Sequence, residues 1–89
     1  MEIIVYSSAN CGFCKKQREF LEKHEIAFTE KDIHQSKDIF DEFQALGGYG
    51  TPFTIIRENG HISKKVMGFN RHQLLEELVQ NATSEHTVS

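Results

Sequence analysis

The sequence predicts an α/β protein in which a mixed four-stranded sheet carries helices on both faces. Apolar runs with strand spacing alternate with segments of helical spacing in the order βαβαββα. A helix between the first two strands implies a right-handed parallel crossover. The Asn59-Gly60 pair between the last two strands instead favours a tight antiparallel hairpin. The sheet is therefore expected to contain both kinds of pairing.

The first half of the chain supplies the βαβα part of this order. Residues 2–6 form a nearly continuous apolar run, which suits a strand buried on both faces. Residues 11–24 have the spacing of an amphipathic helix, and residues 26–33 alternate as a second strand would. The second helix is expected to begin near Ser36, which can cap it, and to end at Gly47.

The second half supplies the ββα part. Residues 53–56 are rich in β-prone side chains, and the hairpin turn leads into a partner strand over residues 62–66. Leucines at helical spacing then predict a third helix that covers residues 74–79, with Asn70 as its cap.

Composition indicates one soluble domain. The chain has 89 residues, of which 38% are hydrophobic and 26% charged, with a net charge of -3. Residues 1–80 are expected to form a single domain, and the polar residues 81–89 a frayed tail. The charge balance argues against a nucleic-acid partner, and the lack of a long apolar run argues against a membrane span or signal peptide. A cytoplasmic monomer is expected.

Both cysteines lie in one motif, Cys11-Gly12-Phe13-Cys14, between the first strand and the first helix. A thiol at a helix start faces unpaired backbone N–H groups and the positive end of the helix dipole, which lower its pKa. Cys11 is therefore predicted to be a nucleophile. Cys14 lies about one helical turn later and can attack a mixed disulfide formed by Cys11.

Two other interpretations of the cysteine pair stay open. Both thiols could be inert and buried, or they could hold zinc together with histidines. A structural zinc site needs about four ligands, and no histidine lies at finger-like spacing, so no metal is expected. The histidines available for such a site are His24, His34, His61, His72 and His86.

Taken together, the βαβαββα order, the Cys-Gly-Phe-Cys motif, Thr51-Pro52 before the third strand and Gly68 before the last helix resemble the thioredoxin superfamily, in particular its small glutaredoxin-like branch. The resemblance covers roughly residues 2–80. It implies a thiol–disulfide oxidoreductase with Cys11 and Cys14 as catalytic residues. It also implies that Pro52 is in the cis form beside the cysteines and that the backbone of Thr51 can pair with an extended peptide or glutathione.

The resemblance implies a disulfide-containing protein substrate and no tightly bound cofactor. Glutaredoxins that use glutathione commonly have a lysine shortly before the first cysteine and an acidic pair after the last glycine. This chain has residues 7–10, Ser-Ser-Ala-Asn, at the first place and Phe69-Asn70-Arg71 at the second. The Gly68-Phe69 pair is similar to that of the glutaredoxin-like hydrogen donors of ribonucleotide reductase. The electron donor is therefore open between glutathione and thioredoxin reductase.

Several roles near the motif have two interpretations. Phe13 either packs on a partner or belongs to the core, and Tyr49 either lines a groove near Pro52 or covers the core edge. Gly68 is predicted to allow close backbone approach, with Phe69 beside the substrate. A non-catalytic module that binds a partner, a metal or a cluster is the alternative to the oxidoreductase. Three cations of the first helix also have two interpretations. They stabilise the thiolate or attract an acidic partner, or they simply form a solvated helix face: Lys15, Lys16 and Arg18.

Overall fold

The computed structural model describes residues 1–80. Four strands and three helices appear in the predicted order. The strands are β1 Glu2–Ser7, β2 Thr29–Asp32, β3 Phe53–Glu58 and β4 His61–Met67. The helices are α1 Gly12–Lys23, α2 Lys37–Ala45 and α3 Arg71–Leu74, which continues as a π-helical segment over Leu75–Gln80.

The strand order across the sheet is β2-β1-β3-β4. Strand β1 pairs in parallel with β2, with Ile4 opposite Thr29, and antiparallel with β3, with Ile4 opposite Ile55. Strands β3 and β4 form an antiparallel hairpin. The predicted mixed four-stranded sheet is confirmed.

Apolar side chains on the two faces of β1 build two core layers. Ile3 and Val5 point to the face covered by α1 and α3, where they meet Phe20, Leu21, Leu74 and Leu78. Ile4 and Tyr6 point to the face covered by α2, where they meet Ile33, Phe43 and Phe53. Residues that alternate along one strand thus face opposite layers, as the pleat requires.

The three helix starts follow local capping rules. The side chains of Cys11, Ser36 and Asn70 each accept a hydrogen bond from a backbone N–H three residues later. In the β3–β4 turn, Asn59 and Gly60 have φ values of 54° and 82°. Positive φ at both positions is typical of a type I′ turn, so the predicted hairpin turn is confirmed.

The second strand is shorter than expected, because it begins at Thr29 and not at residue 26. The intervening residues end α1 instead. Glu25 takes a left-handed conformation with φ 55°, and the N–H of Ile26 donates to the carbonyl of Leu21. Ile26 and Phe28 still pack against the core, which is why they alternate in the sequence as strand residues would.

Two further features were not expected from the sequence. The last helix widens into a π-helical segment after Leu74, while Leu74 and Leu78 both stay buried. A bulge between Ile56 and Arg57 shifts the register of the hairpin.

The predicted tail, residues 81–89, lies outside the described residues. None of the helices within residues 1–80 is both long and apolar enough to cross a membrane.

Candidate active site

Cys11 is the N-cap residue of α1. Its backbone is extended, with φ -104° and ψ 109°, and its Sγ accepts a hydrogen bond from the backbone N–H of Cys14 at 3.2 Å. The sulfur thus takes the place that a serine or aspartate oxygen fills at other helix starts. Cys11 is partly exposed, so an incoming disulfide can reach it.

Cys14 lies one turn into the same helix and is buried, with 2% of its surface exposed. Both thiols are free. The pair therefore has one accessible sulfur and one protected sulfur on the same helical turn, an arrangement that suits attack by the first and resolution by the second.

The surroundings of the two sulfurs move their pKa values apart. Partial burial acts to raise the pKa of Cys11, but hydrogen bonds outweigh it and the pKa lies below its ordinary value. Those bonds come from the Cys14 thiol, the Thr51 hydroxyl and the backbone N–H groups of Cys14 and Phe13. Burial, followed by the hydrogen bond to Cys11 and the charge on Cys11, raises the pKa of Cys14 to about 11. Cys11 is therefore the sulfur that ionises first.

The loop before β3 forms the opposite wall of the site. The Thr51-Pro52 peptide bond is cis, and Pro52 is buried. The Cys11 thiol donates a weak hydrogen bond to the Thr51 carbonyl at 3.5 Å. The N–H of Gly68 donates to the Pro52 carbonyl at 2.7 Å, which joins the turn before α3 to this loop. The structure thus brings Cys11, Thr51, Pro52 and Gly68 together.

The backbone conformation of Gly68 itself favours glycine. A Cβ added to Gly68 would meet no atom of this chain within 4 Å, so packing inside the chain leaves room for a side chain, and close approach of a partner's backbone stays a prediction. Its φ of 76° does disfavour one, because L residues rarely adopt that conformation.

Three aromatic side chains surround the site at different depths. Phe13 is 59% exposed, which places it outside the core. Tyr49 is 85% exposed and borders a cavity that also touches Thr51. Phe69 is half-buried against the Phe20 ring, at a centroid distance of 5.9 Å, so it packs on α1.

Sequence reasoning missed a buried polar pair beneath the cysteines. Gln17, one turn after Cys14, is fully buried and donates through Nε2 to the Thr54 hydroxyl at 2.5 Å. Its Oε1 finds no hydrogen-bond partner within residues 1–80. The available signal was spacing, because Gln17 lies three residues after Cys14 and three before Phe20, on the buried stripe of the helix.

Replacing Thr54 with valine is expected to destabilise the reduced protein by about 1–3 kcal/mol, because the buried Gln17 amide then loses its acceptor. The double variant Gln17→Leu/Thr54→Val removes both polar groups and is expected to recover most of this loss. Urea unfolding of the reduced protein measures both free energies. Thr29→Val, at an exposed strand position, is the matched control. The single variant Gln17→Leu completes the comparison. If the double variant loses as much free energy of unfolding as the two single variants lose in sum, the buried pairing is contradicted.

The first-helix cations are not equivalent. Arg18 forms a two-point salt bridge with Glu30 of β2, at 2.8 and 2.6 Å. The ammonium of Lys16 lies 5.4 Å from the centre of the Phe13 ring. No group of three or more His, Cys, Asp or Glu side chains that could hold a metal ion occurs within the part of the chain that the structure describes.

The family model of glutaredoxin matches residues 3–61, about two thirds of the chain. The chain belongs to the glutaredoxin family. The family expected from the sequence is thereby confirmed, and the match includes the Cys-Gly-Phe-Cys motif and the Thr51-Pro52 loop.

Two kinds of curated relative are similar to parts of this chain. The chain is 34% identical over 50 residues to the glutaredoxin-like protein NrdH of Lactococcus lactis subsp. cremoris, covering 56% of this chain and 69% of that protein. It is also 34% identical over 44 residues to the global transcriptional regulator Spx 2 of Bacillus cereus, covering 49% of this chain. The chain spans about a third of the length of the Spx relatives that it matches.

Solved structures show the same fold. A mutant form of the thioredoxin-like protein BC3987 superposes with a TM-score of 0.75 at 26% identity. The superposition covers 88% of this chain and 95% of that one. The thioredoxin-like arrangement expected from the sequence is therefore confirmed over nearly the whole described chain.

Proposed function

We propose that this glutaredoxin-family protein is a thiol–disulfide oxidoreductase that reduces protein disulfides, or glutathione mixed disulfides, through Cys11 and Cys14. The observation that supports this most directly is the hydrogen bond from the Cys14 N–H to the Cys11 sulfur at the start of α1. It stabilises a thiolate on the accessible cysteine of the pair.

In the first step, the Cys11 thiolate attacks one sulfur of the partner's disulfide. A new S–S bond forms between Cys11 and the partner, the partner's own S–S bond breaks, and the second partner sulfur leaves as a thiolate that takes up a proton. Phe13 and the backbone of Thr51 are the groups nearest to the incoming chain in this proposal.

In the second step, Cys14 loses its proton and attacks the sulfur of Cys11. The bond between Cys11 and the partner breaks, and the partner's sulfur leaves as a thiolate that takes up a proton. Cys11 and Cys14 are now joined in a disulfide, so two electrons have passed to the partner. Once Cys11 is in the mixed disulfide it carries no negative charge. Two of the three causes that raise the pKa of Cys14 are then removed, and burial alone remains to raise it. Forming the first bond thus prepares the second nucleophile.

A two-electron donor must then reduce the Cys11–Cys14 disulfide, and we propose thioredoxin reductase over glutathione. A cavity of about 290 Å³ beside Ser8 is lined by the carboxylates Glu30 and Asp32. Arg18, which also lines it, is already paired with Glu30. These charges disfavour the anionic glutathione tripeptide on that side of the motif. The proposal includes no tightly bound cofactor and a monomer that acts in the cytoplasm.

Supplying the oxidised protein with NADPH and thioredoxin reductase is expected to oxidise NADPH at least several-fold faster than supplying glutathione with glutathione reductase. Absorbance of NADPH at equal protein concentration gives both rates. The Cys14→Ser variant, which cannot form the intramolecular disulfide, is the control without turnover. Turnover with glutathione alone would reverse the donor assignment, and turnover with neither donor would contradict the electron-carrier function.

The second candidate is a binding module without redox turnover. The partial likeness to Spx 2, which is named a transcriptional regulator, gives it support. Mass measurement separates the two candidates. If the protein is an electron carrier, the wild type reversibly loses the mass of two hydrogen atoms on oxidation and the Cys14→Ser variant does not. If it is a binding module, neither the wild type nor the variant shows this loss.

A further inference from the structure

Charge is unevenly distributed around the site. Three segments meet there, residues 7–18, 47–54 and 66–73, as the contacts from Cys11 to Thr51 and from Gly68 to Pro52 show. These segments contain no Asp or Glu, although the chain has 13 acidic residues and a net charge of -3. Their four Lys and Arg residues are Lys15, Lys16, Arg18 and Arg71. Carboxylates reach the site on the Ser8 side, from Glu30 and Asp32 of β2. On the side of α1 and α3, an acidic protein thus presents a mainly cationic surface next to its cysteine motif.

A surface groove of about 280 Å³ extends from this face between α1 and the start of α3. Two phenyl rings, of Phe20 and Phe69, pack edge to face and provide its apolar lining. The charged side chains that line it are Lys16, Glu19, Lys23 and Arg71. Cations thus exceed carboxylates by three to one around an apolar floor.

Within residues 1–80, none of the three cations of the groove forms a salt bridge. The salt bridges found within residues 1–80 use Arg18, Lys31, Lys37, Arg57 and His72. Lys16, Lys23 and Arg71 take part in none of them and are exposed. Lys16 also lies over the Phe13 ring of the cysteine motif, so the groove begins beside that motif.

We propose that this groove binds a segment of the disulfide-containing partner that carries acidic residues and one apolar side chain. That segment lies close in the partner's sequence to the cysteine that Cys11 attacks. The proposal rests on the proposed function and specifies its substrate class. From Phe13 to Lys23 the helix rises about 15 Å. An extended chain covers that distance in about five residues. The acidic residues of the substrate therefore lie within about five positions of its reactive cysteine.

Three synthetic peptides test this substrate class. Each carries the same disulfide loop, followed by a tail that contains phenylalanine together with glutamate, glutamine or lysine. At about 20 mM ionic strength the reduced protein is expected to reduce the glutamate peptide about tenfold faster than the glutamine peptide, and the lysine peptide most slowly. At about 300 mM ionic strength the rates are expected to converge. Equal rates for all three peptides at low ionic strength would overturn the proposal and leave the proposed function intact.

Matched variants locate the effect. Lys23→Gln/Arg71→Gln is expected to bring the ratio of the glutamate to the glutamine rate close to one. Lys37→Gln/Lys64→Gln changes net charge equally at exposed sites outside the groove and is expected to keep the ratio. If both double variants lose the ratio alike, net charge and not the groove selects the substrate, and the proposal is wrong.

A peptide without cysteines separates docking from chemistry. The glutamate peptide with serines in place of its cysteines, titrated into ¹⁵N-labelled protein, is expected to shift backbone amide signals of Lys16, Lys23, Phe69 and Arg71. Shifts confined to residues outside both the groove and the cysteine motif, or no shifts, overturn the groove assignment. Reduction of no peptide, combined with these shifts, would instead contradict the oxidoreductase function and leave the groove as a binding site.

Discussion

Cys11→Ser is expected to lower the rate of disulfide reduction by roughly 10³-fold or more, to the uncatalysed background. The variant loses the only thiolate that the helix start stabilises, and the remaining Cys14 is buried with a raised pKa. The measurement is the rate at which a disulfide peptide is reduced by the variant, with dithiothreitol as the recycling reductant.

Cys14→Ser provides the matched comparison, because each variant removes one sulfur from the same helical turn. It keeps the attacking thiolate, so it is expected to stop at the mixed disulfide with one peptide bound. Mass spectrometry under non-reducing conditions detects that adduct, which Cys11→Ser does not form. An adduct on Cys11→Ser and none on Cys14→Ser would reverse the roles of the two cysteines.

The rate of alkylation by iodoacetamide is expected to reach half of its maximum at a pH below about 8.5, the ordinary value for a cysteine. The sign follows from the chemistry. The thiolate reacts and the thiol does not, so the rate rises with pH through the pKa of Cys11, which hydrogen bonds place below its ordinary value. Below that pKa, protonation quenches the reaction.

Cys11→Ser serves as the control for this profile. Its remaining thiol, Cys14, is expected to react slowly and to titrate above the ordinary range. Replacing the Cys11 thiol with a hydroxyl removes the charge that helps to raise the pKa of Cys14, but burial, the largest cause, stays. An ordinary profile for the wild-type protein would remove the basis of the proposed nucleophile.

Features set by neighbours in sequence were predictable. Cys11, Ser36 and Asn70 cap their helices through contacts that span three residues, and Asn59-Gly60 forms its turn alone. Side-chain chemistry and backbone geometry at such short range leave few alternatives. The order of elements, and from it the mixed sheet, followed from the same local signals.

Features that depend on distant parts of the chain were less accessible. The Cys11–Thr51 contact spans 40 positions and was expected only through family resemblance. The Gln17–Thr54 pair spans 37 positions, and nothing in either local sequence indicates the other. The start of β2 was placed too early because Ile26 and Phe28 alternate as a strand does while they pack against the core from a helix end. A pattern of buried residues alone does not distinguish a strand from an irregular segment that follows a helix.

The two outer strands of the sheet affect whether copies of the protein associate through their sheet edges. Strand β2 has four residues, Thr-Glu-Lys-Asp, and β4 exposes Lys64 and Lys65. Short, charged edges discourage the backbone of another molecule from adding as a further strand. Copies of this chain are therefore expected not to pair through their sheet edges at high concentration, although each carries a partly exposed thiol at Cys11.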